Sequence, residues 1–255
     1  GVDKFLLPIL GLFRALSLNR TKPVDVIWAM MASQASIAAA WFRMARPRIP
    51  TMLSIQEGEE EKHLSRYVFG IHALYKLLIQ PWHRLIFRKA DYVTAISRHL
   101  QGRALGAGVE VPIEIIPNGV DLEKFSAMGG KVERKYKIVI TTSRLVKKNG
   151  IRDLIEAIRF LPTEVHLWIL GDGQERLRLE SQVSSLNLQN RVKFFGTVTQ
   201  EEAAARLCEA DVFVRPSLSE GQGISFLEAM ATGVPVVGTP VGGITDFLRD
   251  GDTGL

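Results

Sequence analysis

The chain carries a single cysteine, Cys208, in 255 residues. One cysteine excludes a disulfide framework, and a reducing compartment is the natural setting. Cys208 itself is expected as a buried helix residue. Long apolar runs are missing too. One stretch, "VIWAMMASQASIAAAWF" at 26–42, raises the membrane question, and it is interrupted by Ser33, Gln34 and Ser36. It falls short of the roughly 20 apolar residues that a membrane-spanning helix needs. It reads instead as a buried strand, "VDVIWAM", followed by a small-residue helix, "SIAAAWFRMA". No basic run is interleaved with aromatics, so nucleic acid is not an expected partner. No repeat or low-complexity tract stands out, and no signal peptide is read at the start. The histidines (His63, His72, His83, His99 and His166) are scattered, and each is expected to be structural or exposed.

What is present is an ordinary globular composition, 46% hydrophobic and 23% charged, long enough for one large domain or two of usual size. The net charge of +5 is uneven. Residues 1–125 hold 16 Lys and Arg against 11 Asp and Glu, and the rest hold 16 against 16. The basic excess therefore belongs to the first half. It suits an anionic lipid surface or a phosphorylated substrate, or it is a solvated face. "WHRLIFRKA" and "ISRHL" are basic and partly apolar, and they pack as helices or rest peripherally on a cytoplasmic membrane surface. The chain begins at Gly1 and stops at Leu255 just after a turn, so a fragment cut at both ends is expected.

Strand and helix patterns alternate through the second half. "KIVITTS" (137–143), "VHLWILG" (165–171), "VKFFG" (192–196), "DVFVRPS" (211–217) and "VPVVGT" (234–239) read as strands. "IRDLIEAIRFL" (151–161), "QERLRLESQVSSL" (174–186), "TQEEAAARLCEA" (199–210) and "ISFLEAMATG" (224–233) read as helices. Thr199 with Glu202 three residues on forms a capping box. The first half is less regular: strand then loop at 48–58, helix then strand at 83–97, and a short strand before the turn Pro117-Asn118-Gly119. Alternation of this kind implies a parallel sheet covered on both faces, a doubly wound α/β fold. The polar stretch after Asp121, with Gly129 and Gly130, marks a domain boundary. We expect domains at 1–127 and 128–255.

Ligands of such folds bind at the carboxyl ends of the strands. Glu220 follows "DVFVRPS" and lies at that edge. Gly221 and Gly223 strip side chains from the next turn, and the helix from Ile224 aims its positive end at the same spot, which suits a phosphate. Glu228, one turn into the helix, can accept hydrogen bonds from ribose hydroxyls, and Glu220 can do so for a sugar. The alternative is plain: Glu220 a cap and Glu228 a solvated helix residue. Past the strand 137–143, Arg144, Lys147 and Lys148 either neutralise a diphosphate or form a basic surface loop. "GDGQER" (171–176) is a third loop at that edge, and its glycines alternatively make only a turn.

"IPNGVD", "SRLVKKNG", "GDG", "VKFFGTV", "ADVFVRPSLSEGQGISFLEAMATGVPVVGTPVGG" and "DGDTGL" follow one another from about Ile115 to Leu255. In this order they resemble the donor-domain signatures of the family-4 glycosyltransferases, the retaining "group 1" proteins of the GT-B fold. The resemblance implies two Rossmann-like domains facing a cleft, with the N-terminal, acceptor-side one incomplete. Glu220 and Glu228 would be its E-x7-E motif. Glu220 would contact the donor sugar, the amides of Gly221, Gln222, Gly223 and Ile224 the phosphates, and Glu228 the ribose. Arg144 and Lys148 would hold the diphosphate of a UDP or GDP sugar, with no metal and no further cofactor. Gly171 would lie at the donor site, and Gly196, Thr197 and Val198 near the base. The acceptor would be a saccharide or a lipid-linked sugar.

Three departures stand out. Asn149 occupies the place immediately before the glycine where the family often has lysine, which shifts that role to Lys148. The family's N-terminal glycine-rich loop is not in this chain. A histidine often found at the end of an acceptor-domain strand has no match. "TMLSIQEG" offers Gln56 and Glu57 there, and Glu57 is the acceptor-side candidate, unless "EGEEE" is only a carboxylate-rich helix start. A nucleotide-sugar epimerase of the same fold and a non-catalytic sugar-nucleotide-binding paralogue are the rival readings.

Overall fold

A computed structural model of the chain describes residues 3–56, 80–126 and 134–255. They group into two compact units, Gly1–Pro117 and Asn118–Leu255. The division falls earlier than the 127/128 boundary expected from composition. The reason is local: Phe125 is buried among the second unit's core residues, and Asn118 is hydrogen-bonded to Gln222.

In the first unit, helix α1 (Asp3–Thr21) precedes strand β1 (Ile27–Met30), helix α2 (Gln34–Ala45), β2 (Thr51–Ile55), α3 (Gln80–Lys89), β3 (Tyr92–Ala95), α4 (Arg98–Gly106) and β4 (Ile113–Ile115). All four strands are parallel, in the order β1-β2-β3-β4. The apolar stretch at 26–42 is thus divided between β1 and α2, as read, but β1 is not the buried strand expected: Trp28 and Met30 are exposed. Among the described residues no helix is long and apolar enough to cross a membrane.

The second unit runs β5 (Lys137–Thr142), α5 (Ile151–Ile158), β6 (Val165–Leu170), α6 (Arg176–Ser185), β7 (Val192–Gly196), α7 (Gln200–Glu209), β8 (Val212–Arg215), α8 (Ile224–Ala231) and β9 (Val236–Gly238). Its parallel sheet has the order β7-β6-β5-β8-β9. The two-residue period of a strand sends alternate side chains to opposite faces. Ile138, Ile140, Trp168 and Leu170 pack on one face with Leu207 of α7 and Phe226 of α8. Val139, Leu167 and Ile169 pack on the other with Leu154, Ile155 and Ile158 of α5 and Leu179 of α6. Helices therefore cover both faces, and the near-continuous apolar runs of β5 and β6 follow from burial on both sides.

Thr199 caps α7 as read, its hydroxyl accepting from the Glu202 amide at 3.2 Å, which is one half of the expected capping box. Cys208 lies in α7 but is only partly buried, a correction to the buried position expected. Its Sγ reaches the Ser126 carbonyl at 3.4 Å.

Strand order fixes where a ligand can sit. From the central β5, the chain builds outward to β6 and β7, then returns to the other side for β8 and β9. The reversal lies between β5 and β8. In open parallel sheets the loops leaving the strands on either side of this switch point part and leave a crevice.

Candidate functional site at the switch point

Arg144 leaves the carboxyl end of β5, and Glu220 follows β8, so the two expected partners flank the reversal. Backbone contacts knit the loops together. The Leu145 amide donates to the Asp172 carbonyl at 2.9 Å, and the Glu175 amide donates to the Leu145 carbonyl at 3.0 Å. The Leu218 amide donates to the Lys148 carbonyl at 2.7 Å. Gly171 and Gly196, at the ends of β6 and β7, meet through a 2.7 Å bond from the Gly171 amide to the Gly196 carbonyl. The structure thus brings the Arg144, Gly171, Gly196 and Glu220 segments to one edge. Thr197, exposed, and Val198, half-buried, continue from β7. Glu57 lies outside the described residues.

The cationic loop is built on inward anchors. Leu145 is fully buried. Asn149 is 5% exposed and donates from Nδ2 to the Arg144 carbonyl at 2.6 Å. The residue standing where the family often has lysine therefore pins the turn that carries Arg144. Arg144 and Lys147 are exposed and Lys148 is half-buried. Upstream, the hydroxyls of Thr141, Thr142 and Ser143 are buried, and among the described residues none has a hydrogen-bond partner. Three such orphans in a row are unusual in a native interior.

The acidic loop differs from its plain reading. Glu220 does not cap α8, because Gly223 is the N-cap, in the left-handed region with φ 91°. Glu220 is instead paired with the guanidinium of Arg215. Its carbonyl accepts from the Gly243 amide at 3.2 Å, and a side chain at Gly242 would run into that same carbonyl. Only glycine allows the 242–243 turn to press so closely against the Glu220 backbone. Gly221, Gln222 and Gly223 are buried, and among the described residues nothing accepts from their amides or from that of Ile224. The Gln222 side chain is already committed. It accepts from the Asn118 amide at 2.9 Å and donates to the Asn118 carbonyl at 3.1 Å, so only its backbone faces a phosphate.

Glu228 is half-buried in α8, which removes the solvated-residue alternative. Burial raises its carboxyl above the ordinary carboxylate value, and the charge of Arg215 lowers it part of the way back. The folded chain therefore holds this proton more tightly than the unfolded one. Stability from the group is present below its unfolded pKa and is lost as pH rises through the raised folded value. Replacing Glu228 with glutamine removes the ionised form. Glu228→Gln is expected to melt about 2 °C above the parent near about pH 8, with the gain gone near about pH 4. A gain that thermal melts show to be independent of pH would sink this account.

Arg215 was missed as a functional residue in the sequence. The available signal was an arginine closing the apolar run "VFVR", since arginine is rarely buried unless paired. It is 6% exposed and touches both the acidic loop and α8. Among the described residues no cluster of three His, Cys, Asp or Glu is placed to hold a metal. A cavity of about 310 Å³ lined by Lys147, Gly150, Glu175, Arg178 and Leu218 adjoins these loops but excludes Arg144, Glu220 and Glu228.

Comparison with known proteins gives two family matches: "Glycosyltransferase Family 4" over residues 2–124 and "Glycosyl transferases group 1" over residues 127–255. The chain is 32% identical over 215 residues to the lipopolysaccharide core biosynthesis glycosyltransferase LpsE of Rhizobium meliloti, covering 83% of this chain and 62% of that protein. It is 35% identical over 191 residues to a GDP-mannose-dependent alpha-(1-6)-phosphatidylinositol monomannoside mannosyltransferase of Mycolicibacterium smegmatis, covering 67% of this chain and 50% of that protein. The Anabaena HepE structure in complex with UDP and glucose superposes with a TM-score of 0.76 at 24% identity, covering 94% of this chain and 66% of that one. The fold is therefore the two-domain, Rossmann-like GT-B fold. The chain spans less than two thirds of the length of both curated relatives.

Proposed function

The chain belongs to the family-4, group 1 glycosyltransferases, and from that premise we propose that it transfers a hexosyl group from a UDP or GDP sugar to a saccharide or lipid-linked acceptor. The observation that carries this reading is the switch-point edge. A cationic loop, a buried glycine turn with unclaimed amides and two carboxylates converge there from β5 and β8.

In this reading Arg144 and Lys148 take the diphosphate, together with the amides of Gly221 to Ile224 at the N-terminus of α8. These fixed donors face the charge that grows on the departing nucleoside diphosphate, which lowers the barrier to breaking the glycosidic bond. Glu220 holds hydroxyls of the sugar, and Glu228 those of the ribose. Gly171 borders the donor site, and Gly196, Thr197 and Val198 border the base. The reaction retains anomeric configuration and uses no metal. Glu57 remains the proposed acceptor-side residue. The M. smegmatis relative's name specifies GDP-mannose and phosphatidylinositol monomannoside, and the HepE structure holds UDP and glucose. Both support a nucleotide-sugar donor here. Peripheral contact with the cytoplasmic membrane face belongs to the same proposal. It is supported by α3, which exposes Trp82, Arg84, Arg88 and Lys89 together.

The test is a thermal-shift titration with UDP, GDP and ADP and their sugar conjugates, without metal and then with it. One nucleotide class is expected to raise the melting temperature by about 5 °C or more at about 100 times its Kd. No shift with any of them would overturn the donor site. An epimerised sugar product formed from the sugar nucleotide without acceptor would make the protein an epimerase.

A further inference from the structure

We propose that Arg215 is a positioning residue whose buried guanidinium fixes the Glu220 carboxylate at the switch-point edge. The inference rests on the donor-site reading above and deepens it. Arg215 ends β8, where it pairs with Gly238 of β9. At 6% exposure it has almost no surface to offer a ligand, so it acts through another group.

Its five N–H donors form a rigid fork. Nε donates to the Ser217 hydroxyl at 3.0 Å. Nη1 donates to the Ser225 hydroxyl at 2.6 Å and to the Thr142 carbonyl at 3.3 Å. Nη2 donates to Glu220. One side chain thereby ties the end of β5, the loop after β8 and the first turn of α8 to the same plane. The ring of Phe226 lies under it, 5.2 Å from the guanidinium carbon. A lysine there would supply a point charge without the fork and could not serve these four directions together.

Charge strengthens the case. Burial pulls the guanidinium down from its ordinary value, and the charges of Glu220 and Glu228 oppose that. A buried cation is tolerated only when paired and hydrogen-bonded, and here Glu220 is its partner and Glu228 a second negative charge acting on it. Glu220 would otherwise be a loop carboxylate free to rotate. With Arg215 behind it, the carboxylate is held in one place before any sugar arrives, which lowers the ordering cost of binding.

Two measurements judge this. The first needs no ligand. In the parent chain, ¹⁵N side-chain spectra are expected to show slowly exchanging Arg215 guanidinium protons, and Glu220→Gln is expected to speed their exchange. Unchanged Arg215 signals in Glu220→Gln would overturn the pairing. The second compares Kd for free UDP and GDP with Kd for UDP-glucose and GDP-mannose, in the parent, Arg215→Lys and Arg215→Leu. Arg215→Leu is expected to weaken the bound sugar nucleotide about tenfold or more while the free nucleotide changes less than about threefold. Arg215→Lys should restore part of the loss. Equal losses for nucleotide and sugar nucleotide, with a lower melting temperature, would make Arg215 a core residue only. If the parent binds none of the four, the donor reading fails, and the exchange measurement still decides whether Arg215 holds Glu220.

Discussion

Phe226→Ala is expected to lower the melting temperature of the second unit by about 10 °C, the effect of losing about 3–5 kcal/mol in a chain of this size. Phe226 is fully buried and meets Phe213 edge-to-face at a centroid distance of 5.0 Å. Phe247 lies at 6.4 Å on another side. The Gly223 and Gly238 backbones approach the ring so closely that a side chain at either would meet it. No neighbour can move in to fill the space of a missing ring without dragging α8 off the sheet. The ring also carries the guanidinium of Arg215, so the cavity would open directly beneath the acidic loop. Calorimetry of the variant measures it. A drop below about 3 °C would mean that the site collapses around the cavity at little cost.

Arg144→Ala should give the opposite pattern, a large loss of ligand affinity with the fold intact. The Arg144 side chain is exposed, and among the described residues nothing pairs with it. The loop that carries it is held by Leu145, Asn149 and backbone bonds rather than by the guanidinium. Charge-assisted hydrogen bonds to a diphosphate contribute about 1.5–3 kcal/mol, so affinity for the preferred nucleoside diphosphate is expected to fall about 10-fold to 100-fold. The melting temperature without ligand should stay within about 1 °C. Isothermal titration of UDP and GDP against parent and variant separates the outcomes. Equal affinity in both would remove Arg144 from the site.

The second unit's elements were legible because both signals in it are strong. β5 and β6 are β-branched runs buried on two faces, and α5 repeats Ile151, Leu154, Ile155 and Ile158 on one stripe. The strand order was not legible, because nothing local in a strand says which neighbour it will take. α1 was not read at all. From Leu6 to Phe13 it is apolar all round, with no polar position to mark a face, and Pro8 falls inside it. In the site, the glycines and Glu220 announced themselves by spacing. The roles of Gln222 and Asn149 did not. Each folds back onto backbone, of Asn118 and Arg144 respectively, and a side chain's choice between ligand and backbone is made by tertiary geometry. Arg215 was hidden by its context, since a strand-end arginine is usually solvated.

The order β7-β6-β5-β8-β9 also sets a sequence in time. β5 finds β6 across one helix, but its pairing with β8, Val139 against Val212, must wait for most of the unit to be threaded between them. Closing the longer loop costs more entropy, so the β5–β6–β7 half is the natural first sheet and β8–β9 the later arrival. The cationic loop then exists before the acidic one reaches it, and the edge where they meet is among the last features to mature. A nucleotide gripping both loops would act as a clasp on that final pairing, slowing the departure of β8 far more than the melting of β6.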